Sequence, residues 1–164
     1  MQKCIDSFKD EYDELIVVHS EGRTYAQNIN RGLKQAKGDF LIVCSDDVTL
    51  RSGHPWQLCH DGEVHSPVTH GGINKTFHGQ MFCLPRDVYE KIGGYDETCP
   101  SPYSTDSDYW IRLLKAGIPV VMNESVHIDH PEPGRTLKHT GDTQGDAREW
   151  FINKHGKGYL RIVE

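Results

Sequence analysis

The chain has 164 residues, a formal net charge of −6 and 36% apolar side chains. That length suits one domain able to bury roughly 70% of its unfolded surface. The acid excess, with no basic stripe to offset it, argues against a nucleic-acid surface, and no apolar run is long enough to span a membrane.

In chain order, residues 2–9 read as a short helix with Cys4, Ile5 and Phe8 on one side. Glu14 to Val18 has the pattern of a buried strand, ending at His19-Ser20-Glu21-Gly22. Thr24 is a capping residue for a helix that runs through Ile29, Leu33 and Ala36 and stops at Gly38. Phe40 to Cys44 is an unbroken apolar run, as in a strand buried on both faces of a parallel sheet. Strand, helix, strand within about thirty-five residues is a βαβ unit with a right-handed crossover. Residues 51–78 look loop-rich, and scatter His54, Cys59, His60, His65, His70 and His78 among glycine and proline. These side chains can bind zinc, but their spacings match no structural-zinc pattern closely. Phe77 to Leu84 reads as a strand, followed by a helix Arg86–Ile92 that Gly93-Gly94 terminates. Ser104 or Thr105 caps the next helix, whose Tyr109, Leu113 and Ala116 share a face. Val120 to His130 is a late strand, residues 131–147 are polar and Gly-rich, and Trp150, Phe151, Tyr159 and Leu160 suggest a terminal element that docks back. The expected fold class is therefore α/β, a three-layer α/β/α sandwich with strands near 14–18, 40–44, 78–84 and 120–128.

The chemistry is expected at Ser45-Asp46-Asp47, because ligands in open α/β sheets sit beyond the carboxyl ends of strands. Adjacent carboxylates are hard donors suited to Mg²⁺ or Mn²⁺ shared with substrate phosphates. Taken alone, the tripeptide reads first as an acidic turn. Asp106 and Asp108 occupy the first turn of their helix, where the dipole favours carboxylates. The five cysteines (4, 44, 59, 83 and 99) form no Cys-x-x-Cys pair, and Met1-Gln2-Lys3-Cys4 does not open a signal peptide. Reduced thiols in a cytoplasmic protein are the expectation.

Several stretches then resemble, in order, a small GT-A glycosyltransferase of the family-two type. They are Asn30-Arg31-Gly32 with Ala36 to Phe40, Ser45-Asp46-Asp47 at the Asp-x-Asp position, Gly79 to Leu84 with Arg86 to Glu97, Thr105 to Arg112, and Phe151 to Gly156. The departures are Ser45 for the first Asp, Thr105 for a Glu, His19-Ser20 for an acidic pair, and no counterpart of the family's first strand. The resemblance implies a GT-A-like (Rossmann-like) domain lacking that strand, with a donor and metal half at 1–48, an acceptor half at 49–130 and a C-terminal tail at 131–164. It also implies a metal-dependent, inverting transfer of a sugar from a nucleotide-diphosphate sugar to a sugar or glycan acceptor hydroxyl. Asp106 would be the base. Asp46, Asn30 and Arg135 would bind the donor, with Lys138 beside Arg135. Asp47 and His130 would hold Mn²⁺ or Mg²⁺, His127 being the rival histidine and Asp129 a further carboxylate within reach. Asp108 is expected to be structural, through capping or a pairing with Arg112. A non-catalytic GT-A-like binding module and a metal-dependent nucleotidyltransferase stay open, the latter without the basic Gly-rich phosphate loop it needs. The edge left by the missing strand invites a second chain, so a homo-oligomer stays open as well.

Overall fold

A computed structural model describes residues 1–9, 11–71, 77–130 and 144–159. Five helices and five strands are assigned among them. The helices are α1 (Gln2–Phe8), α2 (Tyr25–Gln35), α3 (Arg86–Ile92), α4 (Thr105–Lys115) and α5 (Gln144–His155). The strands are β1 (Phe40–Cys44), β2 (Thr49–Ser52), β3 (Val64–His70), β4 (Met81–Pro85) and β5 (Val120–Asp129), in the sheet order β1-β4-β3-β5-β2.

α2 starts where its cap predicts, whereas Ser104 precedes α4 without a side-chain capping hydrogen bond. Thr24 Oγ1 accepts the Gln27 N–H while Gln27 Oε1 accepts the Thr24 N–H, a complete capping box. At the other end of α2, Arg86 donates to the carbonyls of Ala36 and Gly38 and so satisfies a helix terminus through a side chain from α3. The 3-10 turn Pro55–Leu58 precedes β3.

The sheet has two apolar faces, which makes the molecule layered. From β4, Phe82 and Leu84 pack with Leu41 and Val43 against α2, α3 and α4, through Ala26, Leu33, Val88, Tyr109 and Leu113. The alternate residues Met81 and Cys83 pack the opposite way, with Val126, Ile128, Leu58 and Phe8 of α1. All of β4 is buried.

Three expectations change. Residues 14–18 form no strand, and Leu15 and Val17 are exposed. The expected parallel βαβ pairing is therefore absent. β1 pairs antiparallel with β4, and β3 with β5 is the parallel pair among the described strands. Nor is β1 buried on both faces, since Ile42 is 37% exposed beside Leu41 and Val43 at 4% and 8%. It is an edge strand, and Ile42 lies on the groove beside it. The segment read as loop, 51–78, holds part of β2, the 3-10 turn and all of β3. Pro67 sits in β3 where the register against β5 shifts, a place where a strand tolerates proline.

Candidate functional site

A groove of about 1520 Å³ runs along the open edge of β1. Asp46, Asp47, Asp106 and His130, each expected from sequence to be functional, all line it. The β1–β4 ladder ends at Cys44↔Met81, and one step beyond it the Ser45 N–H donates to the Gln80 carbonyl at 2.8 Å. That bond fixes the turn that carries both aspartates. Asp47 is 13% exposed at its side chain and its Oδ1 lies 3.4 Å from His130 Nε2, itself 12% exposed. The His130 main-chain N–H donates to His70 O at 2.9 Å, which holds the end of β5 against the end of β3. Asp46 is more open, its side chain 56% exposed and 3.8 Å from the chain's amino terminus.

Asp106 reaches the same groove from the first turn of α4. Its Oδ2 accepts the Gly79 N–H at 3.0 Å, while the Tyr25 hydroxyl donates to Gly79 O at 2.9 Å. Burial, and then the nearby Asp106, push the Tyr25 phenol well above its ordinary pKa, so it remains a donor. A side chain at 79 would force Asp106 or Tyr25 to shift. A Cβ there would stand 2.9 Å from both Asp106 Cγ and Tyr25 Oη.

Other candidates fall elsewhere. Asn30, expected on the donor side, is 7% exposed and fully engaged. Its Nδ2 donates to Tyr95 O and Glu97 Oε1, and its Oδ1 accepts the Tyr95 N–H. It pins the loop after α3 and does not line the groove. His127 pairs with His70 at 3.0 Å, and Asp129 with Arg51 at 3.0 Å. Arg135 and Lys138 lie outside the described residues. Asp108 is fully buried and accepts from Arg112 Nε at 3.0 Å.

Within the histidine-rich segment, His60, Glu63 and His65 place ligand atoms within 4.8 Å of one another, outside the groove. The two imidazoles stack at 4.0 Å and 9°, so their in-plane lone pairs lie in nearly parallel planes rather than converging. His65 Nε2 already meets Glu63 Oε2 at 2.9 Å, and Asn123 Nδ2 faces His65 Nδ1 at 3.3 Å. As arranged, this is a hydrogen-bonded set rather than a formed ligand cage.

Sequence reasoning missed Tyr25 and Gln80, which also line the groove, and named His78 without placing it there. The available signal was a glycine flanked by polar residues immediately before a buried strand. Buried polar atoms on the lining without a hydrogen-bond partner among the described residues include Asn28 Oδ1, Gln80 Oε1 and Trp110 Nε1. Buried polar groups are usually paired, so such atoms on a groove mark places for ligand hydroxyls or for rearrangement.

Comparison with known proteins bears on the fold. Residues 2–54 match the sequence model of the family described as Glycosyl transferase family 2. No curated protein matches the chain. Among solved structures, the chain is similar to the catalytic domain of Drosophila beta1,4galactosyltransferase 7 in complex with xylobiose. That match has a TM-score of 0.51 and 18% identity, covering 72% of this chain and 48% of that one. It is also similar to the mannosyltransferase PcManGT from Pyrobaculum calidifontis in complex with GDP-Man and Mn²⁺. There the TM-score is 0.55 with 17% identity, over 85% of this chain and 43% of that one. The fold is that of glycosyltransferase catalytic domains. The chain spans less than half the length of either structure. No described helix is long and apolar enough to cross a membrane.

Proposed function

We propose that the chain is a metal-dependent, inverting glycosyltransferase that moves a sugar from a nucleotide-diphosphate sugar to an acceptor hydroxyl. The observation that carries this reading is the meeting of Asp47 and His130 at 3.4 Å on the same groove as Asp106. A carboxylate oxygen and an imidazole nitrogen at that separation can both reach one divalent cation at about 2.0–2.2 Å. The pair suits Mn²⁺ or Mg²⁺ with donor phosphates completing the shell, and the unpartnered Gln80 Oε1 beside His130 is consistent with a site that rearranges on loading. When bound, the cation neutralises charge that develops on the leaving diphosphate. Asp46, exposed on the groove lining, would meet the donor ribose or sugar. Arg135 keeps its proposed part in closing over the diphosphate. Asn30 drops out of the donor set, because its amide is consumed by Tyr95 and Glu97.

Asp106 removes the acceptor proton as the hydroxyl oxygen attacks the anomeric carbon and the bond to the diphosphate breaks. The Gly79 N–H holds one carboxylate oxygen and so orients the group. Asn28 Oδ1 and Trp110 Nε1 offer one acceptor and one donor to sugar hydroxyls along the lining. The five free thiols fit a cytoplasmic setting.

Calorimetry of UDP, GDP or dTDP with Mn²⁺, on wild type and on Asp47→Ala, tests the metal reading. Binding that requires Mn²⁺ and is lost in Asp47→Ala is expected; equal affinity in the variant would sink the assignment. Metal-dependent nucleotide binding without transfer from any common nucleotide sugar would make the chain a binding module.

A further inference from the structure

We infer that Gln80 is a positioning residue for the cation site: its main chain sets the turn carrying Asp46 and Asp47, and its side chain sets the tautomer of His130. The inference rests on the reading of Asp47 and His130 as cation ligands.

Gln80 precedes β4, and its carbonyl accepts the Ser45 N–H at 2.8 Å, so the residue is tied to the start of the acidic turn. Its side chain goes to the other ligand. Gln80 Nε2 lies 3.3 Å from His130 Nδ1, while Gln80 Oε1 is buried with no hydrogen-bond partner among the described residues. One residue therefore touches both halves of the site, which come from strands far apart in sequence.

The consequence follows from imidazole chemistry. A neutral imidazole carries one N–H, and only the other nitrogen can ligate a metal. With Gln80 Nε2 donating to His130 Nδ1, the proton sits on Nε2 and faces Asp47. That arrangement is closed to a cation. Half a turn about the last side-chain bond of Gln80 exchanges its oxygen and nitrogen. Oε1 then accepts from Nδ1–H, and the Nε2 lone pair is free on the Asp47 side. Ligating histidines almost always donate their second nitrogen to such an acceptor, and its loss costs about 10–100-fold in metal affinity. Gln80 is the side chain in contact with Nδ1, and its oxygen is the unsatisfied acceptor at that place.

Mn²⁺ affinity in the presence of a nucleoside diphosphate, read by electron paramagnetic resonance, tests this on three proteins. Gln80→Leu keeps the main-chain carbonyl but has no acceptor, and should bind Mn²⁺ about 10–100-fold more weakly than wild type. Gln80→Glu presents a carboxylate to Nδ1–H and should retain wild-type affinity or exceed it. A purely structural role predicts instead that affinity follows the melting temperature in both variants. A second readout is the ¹⁵N spectrum of His130 in wild type, where adding Mg²⁺ and nucleotide should move the proton from Nε2 to Nδ1. Wild type that binds no cation overturns both the metal reading and this inference. Wild type that binds while Gln80→Leu binds equally well, or a His130 that keeps its Nε2 proton when loaded, overturns this inference alone.

Discussion

Asp106 owes its place to a main-chain donor as much as to its helix. The Gly79 N–H at 3.0 Å holds one carboxylate oxygen, and the absence of a side chain at 79 makes the approach possible. Asp106→Asn removes the base while preserving size. Transfer from the nucleotide sugar should fall about 10²–10⁴-fold, with Mn²⁺ and nucleotide affinity by calorimetry unchanged. Near-normal turnover would move the base elsewhere. Gly79→Ala makes a complementary test, because it leaves the carboxylate in the protein. Its methyl group would meet Asp106 Cγ and Tyr25 Oη at 2.9 Å, and the N–H contact cannot survive that displacement intact. Turnover should drop well beyond the change in melting temperature. If Gly79→Ala turns over normally, the position of Asp106 is not what the chemistry needs.

At the scale of elements, what was legible in the sequence was what is locally determined. The boundaries of α2 and α3 follow from Thr24, Pro85 and Gly93, and the strand-end positions of Asp47 and His130 follow from apolar runs stopping at polar residues. Pairing partners are non-local and were misread. The run 14–18 has strand composition but forms no ladder, although it lines the same groove as the open edge of β1. β3 was hidden because its five central residues include a proline, which a bulged register accommodates. Gln80 was invisible for the same reason, since its value lies in touching two distant strands. The docking of α5 shows a local guess with a non-local cause. Phe151 is 1% exposed against Ile111 of α4. Beside it the fully buried Asp108 accepts from Arg112 at 3.0 Å, Lys154 at 2.6 Å and His155 at 2.7 Å. Lys115 Nζ donates to His155 Nδ1 at 3.1 Å, which leaves the imidazole proton on Nε2 for Asp108. Asp108→Ala leaves those cationic and polar groups facing one another without their anion. Removing one partner of a buried pair typically costs about 3–5 kcal/mol. Urea unfolding should show a loss of that order, and hydrogen exchange in α5 should rise before exchange in β4. A loss below about 1 kcal/mol would mean that solvent already screens the pair.

For the whole molecule, pH acts through groups the fold has moved from their ordinary values. Burial brings His78 down from 6.5 to about 4, and its Nε2 shares a hydrogen bond with the Thr69 hydroxyl at 2.8 Å. Above pH 6.5 neither the folded nor the unfolded chain protonates this imidazole, so it gives no pH dependence there. Between 6.5 and about 4 the unfolded chain takes up a proton that the folded chain refuses, and each step down in pH favours unfolding. Below about 4 both states are protonated and the loss is complete, at roughly 3 kcal/mol. Asp96 acts lower down. Burial opposes its ionisation, but Lys154 and Thr98 outweigh that and hold it at about 2, so its contribution is present above the ordinary carboxylate range and disappears as pH falls toward 2. The two windows are separate, which makes the upper one attributable. His78→Gln should be less stable than wild type at pH 7.5 by about 1 kcal/mol, the value of one lost neutral hydrogen bond. At pH 4.5 the order should reverse, because glutamine has no proton to refuse. Thermal unfolding of both proteins at the two pH values would show the crossing, as melting-temperature differences of about 2–4 °C per kcal/mol. Parallel curves for the two proteins from pH 7.5 to 4.5 would mean that His78 is protonated in the folded chain and that its burial does not govern the acid limb.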